Sequence, residues 1–405
     1  MSPDIERRVI VAGASGRLGR ALVPALRNRG YEVVVLGRDV ERLARLFPEH
    51  KAVTYEALDG LGPARALVNL AVVNTDVEAH AEAFDAVNHR LAVRLADAAA
   101  ASGMAFVHLS STHAVDLTDR SAYAVSKRRA IDTLLRQSRE IVRVLTLPKV
   151  VFDSPSSPAG RAWAFAASLK PVIFVDDVVD LVHDTIETGN TASNAIMPVS
   201  ARTAPLAYRT LSAVADRAAG AAILLLFGWF ILLLALAVRL DSRGNPFFLQ
   251  KRVGQHERPF TLLKLRTMRT AVGDLPSHEV GRSAVTRLGH FLRRTKLDEL
   301  PQAWNLLLGQ IALVGPRPCL PTQDELVSRR RAAGVFAIKP GITGYAQVNQ
   351  IDMSDPARLV DWERRYLALR GLLLDIKILL ATVRGSGAGD RTSAETQTSD
   401  VKRRA

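Results

Sequence analysis

The chain has 405 residues, of which 48% are apolar and 23% charged, so it has room for two or three domains with cores and is not a disordered protein. Its formal net charge of +14 indicates an anionic partner, and a phospholipid surface or a phosphorylated small molecule is favoured. Nucleic acid is disfavoured because no zinc-finger spacing, helix-turn-helix signature or RNA-binding aromatic motif accompanies the charge, and the single cysteine, Cys319, excludes a disulfide within the chain.

A glycine-rich turn follows the first apolar run, residues 8–12, and leads into a stretch of helix formers. The turn reads Gly13-Ala14-Ser15-Gly16-Arg17-Leu18-Gly19. Its glycines let the backbone approach a pyrophosphate, and the following helix offers free N–H groups and the positive end of its dipole. A second apolar run, 31–36, comes at the spacing of a βαβ unit and ends in Gly37-Arg38-Asp39. Arg38 favours a 2′-phosphate, so NADP is predicted, while Asp39 leaves NAD open.

Apolar runs at 66–73 and 105–109, with a helix predicted over about 77–102, lead to a possible proton-transfer set. Tyr123 and Lys127 are four residues apart on a predicted helix and share one face. The ammonium can lower the pKa of the phenol and hold a nicotinamide ribose, and a hydroxyl at the preceding strand end, Thr112 or Ser111, can complete the set. The nearby histidines, 108 and 113, are predicted to have packing or surface roles.

These landmarks together resemble the extended short-chain dehydrogenase/reductase family, which includes nucleotide-sugar epimerases, dehydratases and 4-ketoreductases. The similarity rests on GASGRLG, FVHLSST, YAVSK and FVDDVVDLV and covers about residues 8–208. The resemblance implies a Rossmann-type sheet, Thr112 at the family's hydroxyl position, Tyr123 as acid/base and Lys127 as its partner. Between Val151 and Phe174 the family normally inserts a substrate lobe, and only a brief Ser/Pro/Ala segment stands there.

An uncharged apolar stretch, residues 221–238, lies between Arg217 and Arg239. As a helix it would be about 27 Å long, close to the hydrocarbon thickness of a bilayer. A membrane segment is therefore predicted, with a buried core helix as the alternative.

The most chemically suggestive stretch of the second half is 293–318. Adjacent Asp298 and Glu299 diverge by about 100° on a helix, so they cannot clamp one atom together. They can divide the work, one attacking a phosphorus atom while the other holds a metal ion. Prolines on both sides of Arg317 would direct its guanidinium at phosphate oxygens. Upstream, Lys264 and Arg266 alternate with leucines and form a basic side.

KLRTM, LDELPQAWNLLLGQIALVGPRP and KPGITGYAQVN, in this order, resemble the bacterial sugar transferase domain of the monotopic phosphoglycosyl transferases over about residues 212–385. The resemblance implies that Asp298 attacks the β-phosphate of a UDP-sugar and expels UMP, after which polyprenol phosphate takes the phosphosugar. It also implies that Glu299 is linked to Mg²⁺. Lys264, Arg266, Arg317 and Gln347 fall in the family's motifs as substrate contacts.

The apolar helix departs from the small members of this family, which break it with a Ser-Pro pair where this chain has Gly228-Trp229. Glycine permits a kink without imposing one. Because NADP and UDP-sugars are cytoplasmic, both flanks are expected on the cytoplasmic face of the bacterial inner membrane. A re-entrant, bent helix that enters one leaflet and returns is therefore predicted, with a straight span as the alternative.

The predicted fold class is α/β: a Rossmann-type doubly wound parallel sheet, a re-entrant membrane helix, and a compact, mainly helical α+β transferase domain. The predicted boundaries are 1–208, 212–385 with membrane helix 221–238, and a disordered tail at 386–405. An amphipathic helix is expected over 362–383.

Three functional alternatives remain open for the whole chain. In the first, the N-terminal domain reduces a UDP-4-keto-6-deoxy sugar with NADPH and the transferase loads the product on polyprenol phosphate. In the second, the N-terminal domain is a C4 epimerase. In the third, it is a non-catalytic nucleotide-binding or dimerisation module. The expected partners are a UDP-sugar, polyprenol phosphate and phospholipid, with a homodimer compatible with the family.

Overall fold

The computed structural model describes residues 5, 7–74, 80–137, 140–188, 196–198, 206–269 and 285–386. The chain separates into two compact units, one comprising Met1–Pro205 with Leu367–Arg370 and the other Leu206–Tyr366 with Gly371–Ala405. Apart from Ser386, the predicted tail 386–405 lies outside the described residues. Residues 77–79 of the predicted helix 77–102 also lie outside them.

The first unit is built on a seven-stranded parallel sheet in the order β3-β2-β1-β4-β5-β6-β9. Its strands are β1 Arg8–Ala12, β2 Glu32–Gly37, β3 Lys51–Thr54, β4 Ala66–Asn69, β5 Ala105–Ser111, β6 Val142–Leu147 and β9 Ile196–Pro198. A separate parallel pair consists of β7 Lys149–Val151 and β8 Val172–Phe174. Strands β6 and β7 follow each other closely in sequence, and Pro148, which lacks an N–H, stands between them.

Helices connect these strands and cover the sheet. They are α1 Arg17–Asn28, α2 Val40–Leu46, α3 Ala81–Asp85, α4 Ala92–Ala101, α5 Thr112–Val115, α6 Ala122–Gln137, α7 Pro158–Ala166 and α8 Val175–Thr188. A π-helical turn, Ala86–Leu91, joins α3 to α4, and a 3₁₀ turn, Tyr55–Gly60, follows β3.

Both faces of the sheet are buried, as crossover connections of a parallel sheet require. Along β1, Val9 and Val11 enter the apolar cluster on one face, whereas Ile10 and Ala12 enter the cluster on the other. The strand consequently has an unbroken apolar sequence, and the predicted doubly wound fold is confirmed.

The second unit begins with one long helix, α9 Leu206–Asp241. The strands are β10 Phe247–Val253, β11 Pro259–Leu265, β12 Ala312–Val314 and β13 Gly341–Thr343; β10 pairs with β11 antiparallel, and β12 with β13 parallel. The remaining helices are α10 Arg287–Thr295, α11 Ala303–Leu307, α12 Asp324–Ala332, α13 Tyr345–Val348, α14 Pro356–Leu369 and α15 Leu372–Val383. Asp298 and Glu299 lie in a 3₁₀ turn, Leu297–Gln302.

The predicted single helix over 362–383 is wrong in one respect, since α14 ends at Leu369 and α15 begins at Leu372. The residue before α15 is Gly371, whose φ of 175° is extended rather than helical. The apolar spacing continues across this break, which is why the sequence alone indicates one helix.

Helix α9 continues without interruption through Gly228-Trp229. Among the described residues it is the helix long and apolar enough to cross a membrane, judged by length and composition. Large apolar side chains are exposed along one side, including Leu225 (83%), Trp229 (63%) and Leu232 (66%), whereas Ile231, Ala235 and Val238 are buried.

Candidate functional site

The glycine turn of the first unit brings three backbone segments into contact. Gly13 has φ +77°, and a Cβ there would lie 2.6 Å from the backbone nitrogen of Ala71 at the end of β4. A Cβ on Gly19 would lie 2.2 Å from the carbonyl oxygen of Ala14. The first turn of α1 therefore packs directly against the glycine turn that follows β1, and its N-terminus follows the exposed Gly16. This geometry fits a pyrophosphate approached by bare backbone.

Side chains around the glycine turn affect whether NAD or NADP would fit there. Asp39 caps α2, because its Oδ1 accepts a hydrogen bond from the backbone N–H of Arg42 at 2.8 Å. Arg38 is exposed at the end of β2, and Tyr55 lies within electrostatic range of it. Arg17 places its guanidinium 4.2 Å from the ring centroid of Phe152. Ser15 and Leu18 are half-buried beside it.

Lys127 is 3% exposed, and its Nζ donates to the carbonyl oxygen of Leu109 in β5 at 3.1 Å. Burial lowers the pKa of Lys127 to about 8. Tyr123, one turn earlier in α6, is also buried, and Thr112 begins α5 directly after β5. The end of β5, the start of α5 and α6 thus carry the three residues predicted from the sequence.

His113 was given no functional role by the sequence, and the structure places its ring 5.8 Å from that of Tyr123, edge to face. Its Nδ1 lies 2.6 Å from Oδ2 of Asp119. The side chain of Arg128 holds the intervening loop by donating to the carbonyl oxygens of Ala114, Asp116 and Asp119. By contrast, the packing role predicted for His108 fits its complete burial against Phe106 and Asn69.

In the second unit, a sharp turn separates α10 from the segment that carries Asp298 and Glu299. Lys296 adopts left-handed backbone angles (φ +56°) and ends α10. The N–H of Glu299 then donates to the Lys296 carbonyl oxygen at 3.1 Å, which starts the 3₁₀ turn.

Asn305, in α11, ties this segment to β11. Its Nδ2 donates to the carbonyl oxygen of Thr261 at 2.7 Å, and its Oδ1 accepts from the N–H of Leu263 at 3.1 Å. Asn305 is 2% exposed, so these bonds are shielded from water. The clamp fixes the position of the next residue in β11, Lys264, relative to the acidic pair.

Lys264 and Glu299 form the central ion pair of the site, with Nζ 2.7 Å from Oε1. Burial alone would raise the pKa of Glu299, but the charges of Lys264 and Arg317 outweigh it and lower that pKa to about 2. Burial and the charge of Glu299 raise the pKa of Asp298 to about 6, against the opposing effects of Lys264 and Arg293. Two neighbouring carboxylates therefore have very different proton affinities, which is common at catalytic sites.

Arg317, whose charge acts on Glu299, and Gln347 each follow a backbone segment, and these two segments touch. The N–H of Gly315 donates to the Thr343 carbonyl oxygen at 2.8 Å, and the N–H of Gly341 donates to that of Pro316 at 2.8 Å. A Cβ on Gly341 would lie 2.1 Å from the Gly315 nitrogen, so this approach requires glycine. Gln347 follows in α13, and its buried Oε1 has no hydrogen-bond partner within the described part of the chain.

Arg317 is held through its own backbone. Nη1 of Arg330 donates to the Arg317 carbonyl oxygen at 2.9 Å, and the same guanidinium makes a two-pronged ion pair with Glu363. Arg330 and Glu363 are each 2% exposed. The sequence shows only a run of three arginines, 329–331, typical of a solvated helix end, so it gave no sign that the middle one is buried.

Arg266 lies at the end of β11 and is 8% exposed. Its Nη2 donates to the carbonyl oxygen of Ser242 at 2.6 Å and to its hydroxyl at 3.0 Å. Nε and Nη1 are buried and find no partner among the residues that the structure describes. Unsatisfied guanidinium donors are costly, and an anion would satisfy them.

The described residues contain no cluster of three or more His, Cys, Asp or Glu that could enclose a metal ion. Mg²⁺ is commonly bound by one or two carboxylates together with substrate phosphates and water. The Glu299 carboxylate fits that donor set, in which a diphosphate and water would complete the coordination.

Comparison with known proteins assigns the two halves separately. Residues 207–387 match the family model "Bacterial sugar transferase", and residues 9–147 match "NAD dependent epimerase/dehydratase family". The sugar transferase EpsL of Bacillus subtilis, described as uncharacterized, is 40% identical over 164 residues, which is 38% of this chain and 76% of that protein.

Two further relatives carry functional names. The UDP-glucose:undecaprenyl-phosphate glucose-1-phosphate transferase of Caulobacter vibrioides is 39% identical over 42% of this chain and 67% of its own length. The undecaprenyl-phosphate glucose phosphotransferase of Komagataeibacter xylinus is 37% identical over 42% of this chain. The chain spans only 34% of the length of that last protein.

The comparisons thus identify a sugar transferase unit, and a Rossmann-type unit precedes it in the chain. The chain belongs to the bacterial sugar transferase family, and it carries an epimerase/dehydratase-like segment ahead of its transferase part, as the sequence motifs predicted.

Proposed function

We propose that the C-terminal unit transfers a sugar 1-phosphate from a UDP-sugar to polyprenol phosphate. The observation that carries this proposal is the acidic pair: a buried Asp298 with a pKa near 6 beside Glu299, which Lys264 and Arg317 keep ionised. The relatives from Caulobacter and Komagataeibacter are named a glucose-1-phosphate transferase and a glucose phosphotransferase of undecaprenyl phosphate, which supports the choice of carrier.

In the first step a carboxylate oxygen of Asp298 attacks the β-phosphorus of the donor. The bond from that phosphorus to the bridging oxygen breaks, and UMP departs with the electron pair. A carboxylate with a pKa near 6 is largely ionised at pH 7 and is more basic than an ordinary aspartate, which favours attack.

In the second step a phosphate oxygen of the polyprenol phosphate attacks the same phosphorus. The Asp298 carboxylate leaves, and the product is a polyprenyl diphosphate sugar. Arg317, Arg266 and Lys264 bind phosphate oxygens in both steps, and the Gln347 amide contacts the donor. Mg²⁺, held by Glu299, would neutralise charge on the diphosphate when bound.

The test is UMP release from a panel of UDP-sugars by the purified full chain with Mg²⁺ and polyprenol phosphate. Donor labelled with ³²P at the β-position should leave label on the wild-type protein when the acceptor is omitted. Asp298→Asn should show neither label nor UMP, with Asp241→Asn as an exposed-carboxylate control. Absence of UMP with every donor would contradict the proposal.

For the N-terminal unit we propose NADPH-dependent reduction of a UDP-4-keto-6-deoxy sugar. The glycine turn would hold the pyrophosphate through Gly13, Ser15, Gly16, Arg17, Leu18 and Gly19. Arg38 would hold the 2′-phosphate, which is supported by Asp39 being engaged as a helix cap. The nicotinamide supplies hydride when bound, Tyr123 donates the proton to the carbonyl oxygen, and Lys127 and Thr112 orient the phenol and the substrate.

Tyr123→Phe tests this assignment without touching the transferase. Loss of NADPH oxidation by a keto-sugar, with unchanged UMP release from the reduced sugar, would support a reductase. Interconversion of C4 epimers without net oxidation of NADPH would favour the epimerase alternative, and no turnover of either kind would favour a binding module.

We further propose that 1–208 and 212–385 are the functional domains, that 386–405 is a tail, and that α9 enters and leaves the membrane on the cytoplasmic face. Support comes from the two ends of the apolar stretch, which both pack on the transferase unit: Gly220 against Ala303, and Val238 in a cluster with Leu292. If the transferase unit lies on one side of the membrane, a helix that crossed the bilayer would place one end of the apolar stretch on the opposite side, where that end could not pack on the unit.

Single cysteines at positions 5 and 395, in a chain whose buried Cys319 is replaced by serine, test the topology. Labelling of both positions from the same side of sealed vesicles is expected. Labelling from opposite sides would establish a straight span.

A further inference from the structure

The ion pair between Lys264 and Glu299 engages the same carboxylate that would bind a metal ion. The Lys264 ammonium lies 2.7 Å from Oε1 of Glu299, and their side chains are only 20% and 27% exposed. Asn305 fixes the strand that carries the lysine, and the turn at Lys296 fixes the glutamate. The pair is therefore part of the built site and differs from a mobile surface pair.

A divalent cation would need the same carboxylate. Mg²⁺ sits about 2.0–2.1 Å from its oxygen ligands, and an ammonium that remained hydrogen-bonded to Glu299 would then lie close to a second, doubly charged cation. Arg317 and Lys296 already add positive charge around Glu299. Two cations at such a separation in a shielded site repel each other strongly, because the low effective dielectric screens their charges less than water does.

We propose that Lys264 occupies the metal position at Glu299 in the metal-free protein and that a divalent cation displaces it. The displaced ammonium is then free to bind the donor's diphosphate. This inference rests on the transferase activity proposed above, and it assigns Lys264 a second role as a competitor of the metal ion.

The exchange couples the metal ion to the donor. Without donor, a metal ion must displace Lys264 with no new anion for the lysine, so binding is weak. With donor, the diphosphate both completes the metal coordination and takes over the ammonium. The site thereby favours loading of metal and nucleotide together.

Direct Mn²⁺ binding to the full chain in lipid nanodiscs, measured by electron paramagnetic resonance without any nucleotide, tests this inference. Lys264→Met should lower the Mn²⁺ Kd about tenfold or more relative to wild type, because the competing charge is gone. Lys264→Arg, which keeps the charge, should remain close to wild type. Adding Glu299→Gln to Lys264→Met should abolish the gain.

An unchanged or weaker Mn²⁺ affinity in Lys264→Met would overturn the inference, as would a gain that survives Glu299→Gln. Lys264→Gln, which keeps a polar side chain, replaces the methionine variant if that variant unfolds. Because the titration contains no donor, its result is independent of turnover. UMP release by the wild type separately decides whether the transferase proposal holds.

Discussion

Gly220 of the long helix lies against Ala303 so closely that a Cβ on the glycine would come within 2.7 Å of the Ala303 carbonyl oxygen. The same Cβ would lie 2.7 Å from the backbone nitrogen of Leu307. Because Ala303 directly follows the turn that carries Asp298, any separation of the two helices also moves the acidic pair. Helix α9 therefore supports the turn that carries the proposed catalytic pair.

Gly220→Ala should force the two helices apart, destabilise the transferase unit by about 1–3 kcal/mol and reduce UMP release. Gly228→Ala is the matched control in the same helix, since a Cβ there meets nothing within 4 Å. It should be neutral or stabilise by up to about 1 kcal/mol, because alanine is the better helix former. Thermal unfolding in one membrane mimetic compares the two, and equal effects would contradict the predicted support.

Asp298 should cost stability when it is ionised. Its pKa is about 6 in the folded protein against 3.8 for an unperturbed aspartate, so the folded state holds the proton more tightly. Its contribution favours folding at low pH and is lost as the pH rises from about 4 through 6. Asp298→Asn should therefore raise the free energy of unfolding by up to about 3 kcal/mol at pH 8 and by little at pH 4.

The control for that comparison is Asp241→Asn, an exposed carboxylate of the same unit, which should change stability by less than about 0.5 kcal/mol at both pH values. A gain for Asp298→Asn that is as large at pH 4 as at pH 8 would show that ionisation is not its cause.

The pH dependence of catalysis should report the same group. In the proposed mechanism only ionised Asp298 attacks, so kcat/KM for UMP release should rise with pH through an apparent pKa near 6. Because the charge of Arg293 lowers the pKa of Asp298, Arg293→Met should move this limb to higher pH. Arg294→Met, at an exposed neighbouring position, should leave it in place, and a shift of the same size there would contradict the assignment.

Breaking the buried pair of Arg330 and Glu363 should reduce stability far more than substituting Arg331, the next residue in sequence. Arg330→Met leaves Glu363 buried without its partner and should cost about 3–5 kcal/mol, together with UMP release, because the Arg317 carbonyl loses its donor. Arg331 pairs with Glu257 at the surface, with the arginine side chain 60% exposed, so Arg331→Met should leave the stability close to that of the wild type.

Combining Arg330→Met with Glu363→Leu should restore much of the stability, since neither charge then remains buried. UMP release should stay low in that double variant. Recovery of full activity would show that the bond from Arg330 to the Arg317 carbonyl does not position the loop.

Local patterns were enough to predict the Rossmann sheet and the apolar helix. The apolar run of residues 8–12 and the glycines at 13, 16 and 19 predict a strand followed by a tight turn. Such a unit can be predicted because its residues are close together in sequence. The roles proposed for Asp298 and Glu299 could not be predicted from the pair itself, because adjacent carboxylates are common at helix termini. Only the surrounding motifs made them candidates.

The contacts that hold the site together could not be predicted, since they join residues far apart in sequence. Asn305 reaches 44 positions back to Thr261, and Arg330 reaches 33 positions forward to Glu363. Hydrophobic spacing contains no information on which buried polar group meets which. The apolar spacing over 362–383 also continues across residues 370–371, so it gave no sign of the break between α14 and α15.

The contact between Gly315 and Gly341 has a consequence for engineering the choice of sugar. The loop that presents Arg317 and the turn that presents Gln347 share backbone hydrogen bonds with no side chain between them. A substitution that reshapes one loop should therefore shift the other, and if both contact the donor as proposed, altered selectivity should require compensating changes in both. Libraries that vary the two loops jointly should yield new donor preferences more often than libraries that vary either one by itself.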